Sequence, residues 1–323
     1  MRTFRVLAFT LVLALVAGAL AQDIVLRAAD NQPPDYPTVK GLNHMAEVLE
    51  ELSGGRIVME VFPGGQLGDE RSTIEQVQLG VIDVVRTSTS PVGEFYAPMG
   101  VYSLPYIFRS EEHFWRVVQG PIGFELLEGV READMVGLAY YDSGSRNFYT
   151  TETPVRGVAD LQGLRIRTQQ SQVVLDMMEA LGADAVPMSF GEVYSSLQTG
   201  VIDGAENNYP SYGPSGVRHY EVAPYFTEDA HARVPEIVMI SATVFDVLSA
   251  EDQALVRQAA LASVPVQAAA WAALVAESKA AVIEAGSEVI TVDVAEFQAA
   301  MTPVYEKYGP IFGDVLQRIL DTP

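Results

Sequence analysis

No cysteine occurs anywhere in the 323 residues, which excludes structural disulfides, thiolate metal sites and a lipid-modified cysteine behind a leader. Lysine is nearly as scarce. Of 20 basic residues only Lys40, Lys279 and Lys307 are lysines; the rest are arginines, whose planar fork suits two-point capture of carboxylates. Positive charge as a whole is in short supply: the formal net charge is −22, which repels nucleic acid and anionic lipid, so neither is expected as a partner. Four histidines, His44, His113, His219 and His231, include no i, i+4 pair of the zinc-protease kind, and no metal site is expected. A Walker loop, a G-x-G-x-x-G turn and a nucleophile elbow are absent too, since Ser143-Gly144-Ser145 has no glycine two residues before Ser143; no cofactor is expected.

Long apolar runs are confined to the start. Arg2 and Arg5 precede an uncharged stretch from Val6 to Ala21 that ends Ala19-Leu20-Ala21, the pattern of a secretory signal peptide over residues 1–21, cleaved near Ala21. The stretch is shorter than the ~20 apolar residues a spanning helix needs, and no later segment is expected to cross a bilayer. With 49% hydrophobic and 19% charged residues the chain is globular, and about 300 residues exceed what one core usually organises. Two domains are the expectation.

What is present includes a phrase used twice, Gln78-Leu79-Gly80-Val81-Ile82-Asp83 and Gln198-Thr199-Gly200-Val201-Ile202-Asp203. In each copy a helical segment stops at a left-handed glycine and an apolar strand follows, with polar tips Arg86-Thr87-Ser88 and Glu206-Asn207-Asn208. Ligands of open α/β sheets lie beyond the carboxyl ends of strands, so these tips are expected to wall a cleft between two lobes.

Period and punctuation predict strands at 24–28, 56–62 and 81–85 alternating with helices at 38–52 and 70–79, a βαβαβ unit. A strand over 136–141 runs into the loop Asp142-Ser143-Gly144-Ser145-Arg146; a strand at 164–167 and a helix at 173–181 follow. Ser189 and Glu192 read as a capping box. Ser249 caps an alanine-rich helix from Ala250 to about Ala285, which Pro265 should kink or split and which would brace both lobes. A strand at 288–292 and helices near 294–308 and 312–320 close the chain. The division expected is lobe one over 22–144 with a return at about 233–265, and lobe two over 145–232 with about 266–323.

Strand alternation puts Arg165 and Arg167 on one face with Ile166 on the other. Arg165, near the strand's start, reads as a surface cation, whereas Arg146 and Arg167 at strand tips are candidate anion ligands. Asp83 and Glu206, one from each repeat, offer a carboxylate pair that a carbohydrate-active enzyme would need.

Tyr141-Asp142-Ser143-Gly144-Ser145-Arg146, Gly163-Leu164-Arg165-Ile166-Arg167, Pro187-Met188-Ser189-Phe190-Gly191-Glu192-Val193-Tyr194 and Asp203-Gly204-Ala205-Glu206-Asn207-Asn208, with Gly54-Gly55-Arg56 and Gln66-Leu67-Gly68-Asp69-Glu70, resemble the solute-binding proteins of TRAP transporters. The resemblance spans the chain beyond its leader. It implies a two-lobed α/β periplasmic-binding-protein fold, no enzymatic activity, a periplasmic location, and delivery of an organic anion to membrane permease subunits driven by an ion gradient without ATP.

It also implies roles. Arg167 matches the arginine that pairs with the substrate carboxylate, Asn207 the asparagine supporting it, and Arg146 a second common arginine. Asn31 and Glu70 fall at substrate-facing positions, and Phe190 and Tyr209 would give apolar contact. Asp35-Tyr36-Pro37-Thr38-Val39, Gln169-Gln170-Ser171 and Glu206-Asn207-Asn208-Tyr209-Pro210-Ser211-Tyr212 resemble the branch that takes hexuronates such as glucuronate and galacturonate. Asn208, Arg86 and Ser88 would then meet hydroxyls, although Ser88 stands where that branch is expected to carry an amide. The alternative on the same scaffold is a C4-dicarboxylate, with Arg86 as the second cation.

Overall fold

The computed structural model describes residues 24–323; the signal-peptide reading lies outside the described residues. Two sheets organise the chain. The first holds β1 (Ile24–Ala29), β2 (Ile57–Phe62), β3 (Val84–Ser88), β4 (Met135–Tyr141) and β10 (Glu236–Ser241), in the order β2-β1-β3-β10-β4. The second holds β5 (Arg146–Thr150), β6 (Arg165–Thr168), β7 (Asp184–Pro187), β8 (Gly204–Asn207), β9 (Tyr225–Ala232) and β11 (Glu288–Thr291), in the order β11-β9-β5-β8-β6-β7.

The expected βαβαβ unit forms β1, β2 and β3, all parallel. Its first helix, Pro37–Ser53, starts on a proline whose fixed φ suits a first turn and stops at left-handed Gly54, whose N–H bonds back to Glu50 and Glu51 carbonyls. Between these ends Val39, Leu42, Met45 and Leu49 share one buried face, each side chain contributing about 1.5–3 kcal/mol by leaving water. The helix start therefore holds Tyr36 at a fixed place on the lobe's edge.

Both copies of the repeated phrase do the same mechanical job. Gly80 and Gly200 are left-handed, at φ 68° and 70°. The Asp83 carboxylate accepts the Arg27 amide at 2.7 Å, and the Asp203 carboxylate accepts the Arg165 amide at 2.9 Å. Each arginine in turn donates to a valine carbonyl of the phrase, Arg27 to Val81 and Arg165 to Val201. Downstream, the register pairs Val238 with Arg86 in one sheet and Phe148 with Glu206 in the other, and the strand residue two positions before Val238 and Phe148 carries the charge opposite to that partner. The result is one ion pair built twice with its signs exchanged: Arg86 with Glu236, and Glu206 with Arg146.

The structure corrects several local expectations. β3 begins at Val84 rather than Val81, and β5 forms where no strand was expected, taking in Arg146 from the end of the expected loop. Ser189 pairs with the Glu192 carboxylate at 2.5 Å instead of capping a backbone amide, and a short 3-10 turn, Phe190–Glu192, follows it. The helix Ala250–Glu284, capped by the Ser249 side chain, continues through Pro265 without a break. The carbonyl that loses its bond there belongs to Leu261, a solvent-facing residue, so water can serve it. Contrary to expectation, this helix is long and apolar enough by length and composition to cross a membrane; its alanines give it that character while it lies along the Pro37–Ser53 helix. The last helix, Thr302–Asp321, runs from Lys307 and Tyr308, bonded to Asp176, to its far end, where Arg109 and His113 hold the Leu320 and Ile319 carbonyls. Non-helical Gly313 bends it. This segment, expected with lobe two, touches elements of both.

Besides the long helix, which leads from β10 of the first sheet to β11 of the second, the chain passes between sheets at Asp142–Ser145 and at Arg233–Pro235. These two passages are tied together: Arg233 pairs with the Asp142 carboxylate, and Ser143 donates to the Val234 carbonyl at 2.6 Å. Gln267 of the long helix, fully buried, bonds the Asp142 amide (3.1 Å) and carbonyl (2.7 Å). Gly144, at φ 60°, lies under Trp271, which a Cβ would meet at 3.2 Å.

Candidate functional site

A narrow, polar cavity lies between the strand tips of the two sheets. The first sheet and its helices supply Asn31, Gln32, Tyr36, Glu70, Arg86 and Glu236. The second supplies Arg146, Arg167, Gln169, Phe190, Asn207, Asn208 and Ser211. All expected residues except Ser88 and Tyr209 line it.

Arg167 reaches the cavity because β6 alternates: Ile166 is buried in the core on one face, and Arg167 points the other way. The guanidinium is buried and donates through Nε (3.1 Å) and a terminal nitrogen (2.8 Å) to the Met188 carbonyl, with Phe190 5.9 Å beneath it. Among the described residues no carboxylate lies within ion-pair distance of it. Burial pulls its pKa below the ordinary arginine value, with Glu206 opposing, yet an arginine stays charged. It is a desolvated cation that lacks an anion.

The other two arginines differ. Arg146 forks onto Glu206, with one contact at 2.9 Å, and also donates to the Glu206 backbone carbonyl at 2.9 Å. Burial would raise the Glu206 carboxyl, but Arg146 and His231 outweigh it and hold it at about 2. Arg86 donates Nε to Asp30 at 2.9 Å, a second N–H to the same carboxylate, one to Glu236 at 2.7 Å and one to Asn31 at 2.7 Å. Its charge is spent inside the lobe. Burial nonetheless pushes the Glu236 carboxyl up to about 7, aided by Glu70 and Asp30 against the pull of Arg86.

Polar contacts cross the cleft. Tyr36 meets the Ser211 hydroxyl at 2.8 Å and donates to the Asn208 side-chain amide oxygen (Oδ1) at 3.4 Å. Gln169 donates to Glu70 at 3.4 Å and accepts from Ser88 at 3.5 Å. Glu70, at the start of a helix capped by Asp69, also accepts the Ser88 amide at 3.0 Å. Asn207 and Asn208 end β8; the Asn208 side chain caps the turn Tyr209–Tyr212.

Two expected residues sit elsewhere. Ser88 contacts Glu70 and Gln169 and caps Thr89–Val92 rather than lining the cavity. Tyr209 turns into the second lobe's core, stacked on Phe226 at 4.2 Å with its hydroxyl on Glu228, at the first position of the helical turn Tyr209–Tyr212 that Asn208 caps. The enzyme alternative also fails on geometry: Asp83 fastens the Arg27 amide at the opposite end of β3, and Glu206 is locked between Arg146 and His231. A roomier groove lined by Trp115, Phe124, Leu261 and Pro265 carries no charged side chain and cannot hold an acid.

Sequence reasoning did not single out Gln32, Tyr36, Gln169, Ser211 or Glu236. Tyr36, Gln169 and Ser211 fall inside the segments that resemble the hexuronate branch, so a signal existed for them. Glu236 had none, because β10 was not recognised as a strand.

A family model for bacterial extracellular solute-binding protein family 7 (DctP) matches residues 28–310. The chain is 45% identical to a TRAP periplasmic solute-binding protein from Bradyrhizobium sp. BTAi1 solved in complex with α/β-D-galacturonate, at TM-score 0.90 over 92% of this chain and 99% of that one. It is 44% identical to one from Xanthobacter autotrophicus Py2 with bound β-D-galacturonate, at TM-score 0.89 over 92% and 100%. A third, from Chromohalobacter salexigens with bound D-glucuronate, is 35% identical at TM-score 0.89 over 92% and 100%.

Proposed function

The chain belongs to family 7 of the bacterial extracellular solute-binding proteins, which bind solutes rather than transform them, and from that premise we propose that it captures a hexuronate, D-galacturonate or D-glucuronate, for a TRAP permease. The observation that carries this is Arg167, a buried guanidinium with no carboxylate of its own. A ligand carboxylate there gains a charge-assisted bidentate pair in a water-poor cavity, where such pairs are strongest. The ring hydroxyls would meet Asn31, Glu70, Asn207 and Asn208, which offer both donors and acceptors. Similarity to galacturonate- and glucuronate-bound relatives supports the same class.

A C4-dicarboxylate fits less well. It needs a second cation, and Arg86, the candidate for that part, is already committed to Asp30, Glu236 and Asn31.

Lobe one comprises residues 22–144 and about 233–265, and lobe two 145–232 and about 266–323, with the last helix strapped across both. The lobes close about the two passages near Asp142 and Arg233. Closure brings Tyr36 to Ser211 and Gln169 to Glu70, so ligand favours the closed population. Residues 1–21 direct export and are removed near Ala21, and the mature protein meets the permease in the periplasm.

A thermal-shift screen of the mature protein tests this reading. Ligand a thousandfold above its dissociation constant adds about 4 kcal/mol of stability, a shift of several degrees. Galacturonate or glucuronate raises the melting temperature, whereas succinate, malate and a neutral hexose do not. Shifts with succinate or malate alone would transfer the assignment to dicarboxylates.

A further inference from the structure

The cavity's two walls differ in what they can accept, and the difference bears on which acids are refused. The second-lobe wall offers Arg167. The first-lobe wall gathers three carboxylates, Asp30, Glu70 and Glu236, around the single guanidinium of Arg86. Four of the five N–H groups of Arg86 are already donated within the lobe, which leaves little for a ligand anion. Beside them the side-chain oxygen of Gln32, 8% exposed as a residue and lining the same cavity, has no hydrogen-bond partner. An ionised carboxylate only accepts hydrogen bonds; a hydroxyl also donates. A wall of acceptors with surplus negative charge therefore takes hydroxyls and repels a second carboxylate.

Resting on the hexuronate reading, we propose that the first-lobe wall formed by Glu70, Glu236 and Gln32 makes the protein selective for sugar acids with one carboxylate, so that aldarates, which carry a carboxylate at each end, are rejected. Its contribution is negative: like charges brought together in a dry site repel, whereas the hydroxyl end of a uronate finds acceptors waiting. Specificity of this kind needs no contact made better for the uronate. It needs only one that an aldarate cannot satisfy.

Calorimetric titration with galacturonate and galactarate tests the proposal. The wild-type protein should bind galacturonate at least about 30-fold more tightly than galactarate. Titrated at pH 8, above the value of about 7 for the Glu236 carboxyl, Glu236→Gln removes one wall charge and loosens the hold on Arg86, so the ratio between the two ligands should shrink about tenfold or more. The difference between a ring and an open chain is common to both proteins and cancels in that comparison. Glu70→Gln, which spares the Arg86 network, should shrink the ratio in the same direction and serves if Glu236→Gln lowers the melting temperature too far for titration. Equal wild-type binding of galactarate and galacturonate overturns the exclusion and leaves the hexuronate reading standing. A ratio unchanged in both variants overturns the assignment of the wall. Absence of galacturonate binding by the wild type overturns the hexuronate reading and this proposal with it.

Discussion

Arg167 keeps a full positive charge at 2% exposure with a backbone carbonyl as its hydrogen-bond partner. Removing an ion from water costs several kcal/mol, and an isolated pair of carbonyl bonds does not offset that. On the proposed reading a ligand carboxylate supplies the anion that the fold itself does not place beside Arg167. Arg86 and Arg146, equally buried, show the other solution, a carboxylate supplied from within the same lobe. His231 extends the second of these networks. Burial works to lower its pKa, but Asp229 and Glu206 outweigh it and lift it to about 9. Because the folded value lies above the ordinary 6.5, the stability it contributes is complete below pH 6.5 and disappears as pH rises through 9, at about 1.4 kcal/mol for each pH unit between those two values. Melting temperatures of the wild type should therefore fall between pH 6.5 and 9.5 more steeply than those of His231→Gln. Parallel curves would contradict the assignment.

At the scale of elements, β1, β2, β4, β6 and β11 were legible, whereas β5, β7, β9 and β10 were not. β1, β2 and the helices between them announce themselves through period, the Pro37 start and the Gly54 stop. β5 and β10 are buried along their whole lengths, so neither shows an alternating pattern, and each carries at its first position the charged residue of the exchanged ion pair. That missing strand is why Glu236 went unnoticed in the site. Tyr209 shows the converse failure: its place beside Asn208 suggested the cavity, and the local turn sends it into the core. Pro265 looked like a break, yet packing along the Pro37–Ser53 helix keeps the long helix whole. That continuity lets Gln267 grip both backbone groups of Asp142 where the chain changes lobes. Gln267→Leu keeps the volume and leaves a buried amide and carbonyl unpaired, at about 1–3 kcal/mol each. Denaturant unfolding should show a loss of at least about 2 kcal/mol; a loss under half of that would mean the grip is incidental.

For the whole molecule, the two lobes repeat one plan and exchange its charges. Each uses the phrase ending Asp83 or Asp203 to set a strand, and each buries an ion pair at the strand tip, with arginine on β3 in one and glutamate on β8 in the other. Arg167 stands outside both pairs, and Tyr36, Glu70 and Gln169 carry the contacts from lobe to lobe. The duplication, the cleft and Arg167 were all readable in the sequence, whereas the neutralisation of Arg86 depended on Asp30 and Glu236 meeting it from two different strands. On the proposed reading, ligand capture is a property of closure, in which one cation of the second lobe and the acceptors of the first enclose the same small acid.

The most direct measurement is a galacturonate titration of the wild-type protein beside Arg167→Ala, with circular dichroism to confirm that both are folded. Loss of the anchoring charge pair should cost about 3 kcal/mol or more, so the account predicts saturable one-to-one binding by the wild type and at least a hundredfold weaker binding by the variant. Binding by a folded Arg167→Ala protein within threefold of the wild type would contradict it.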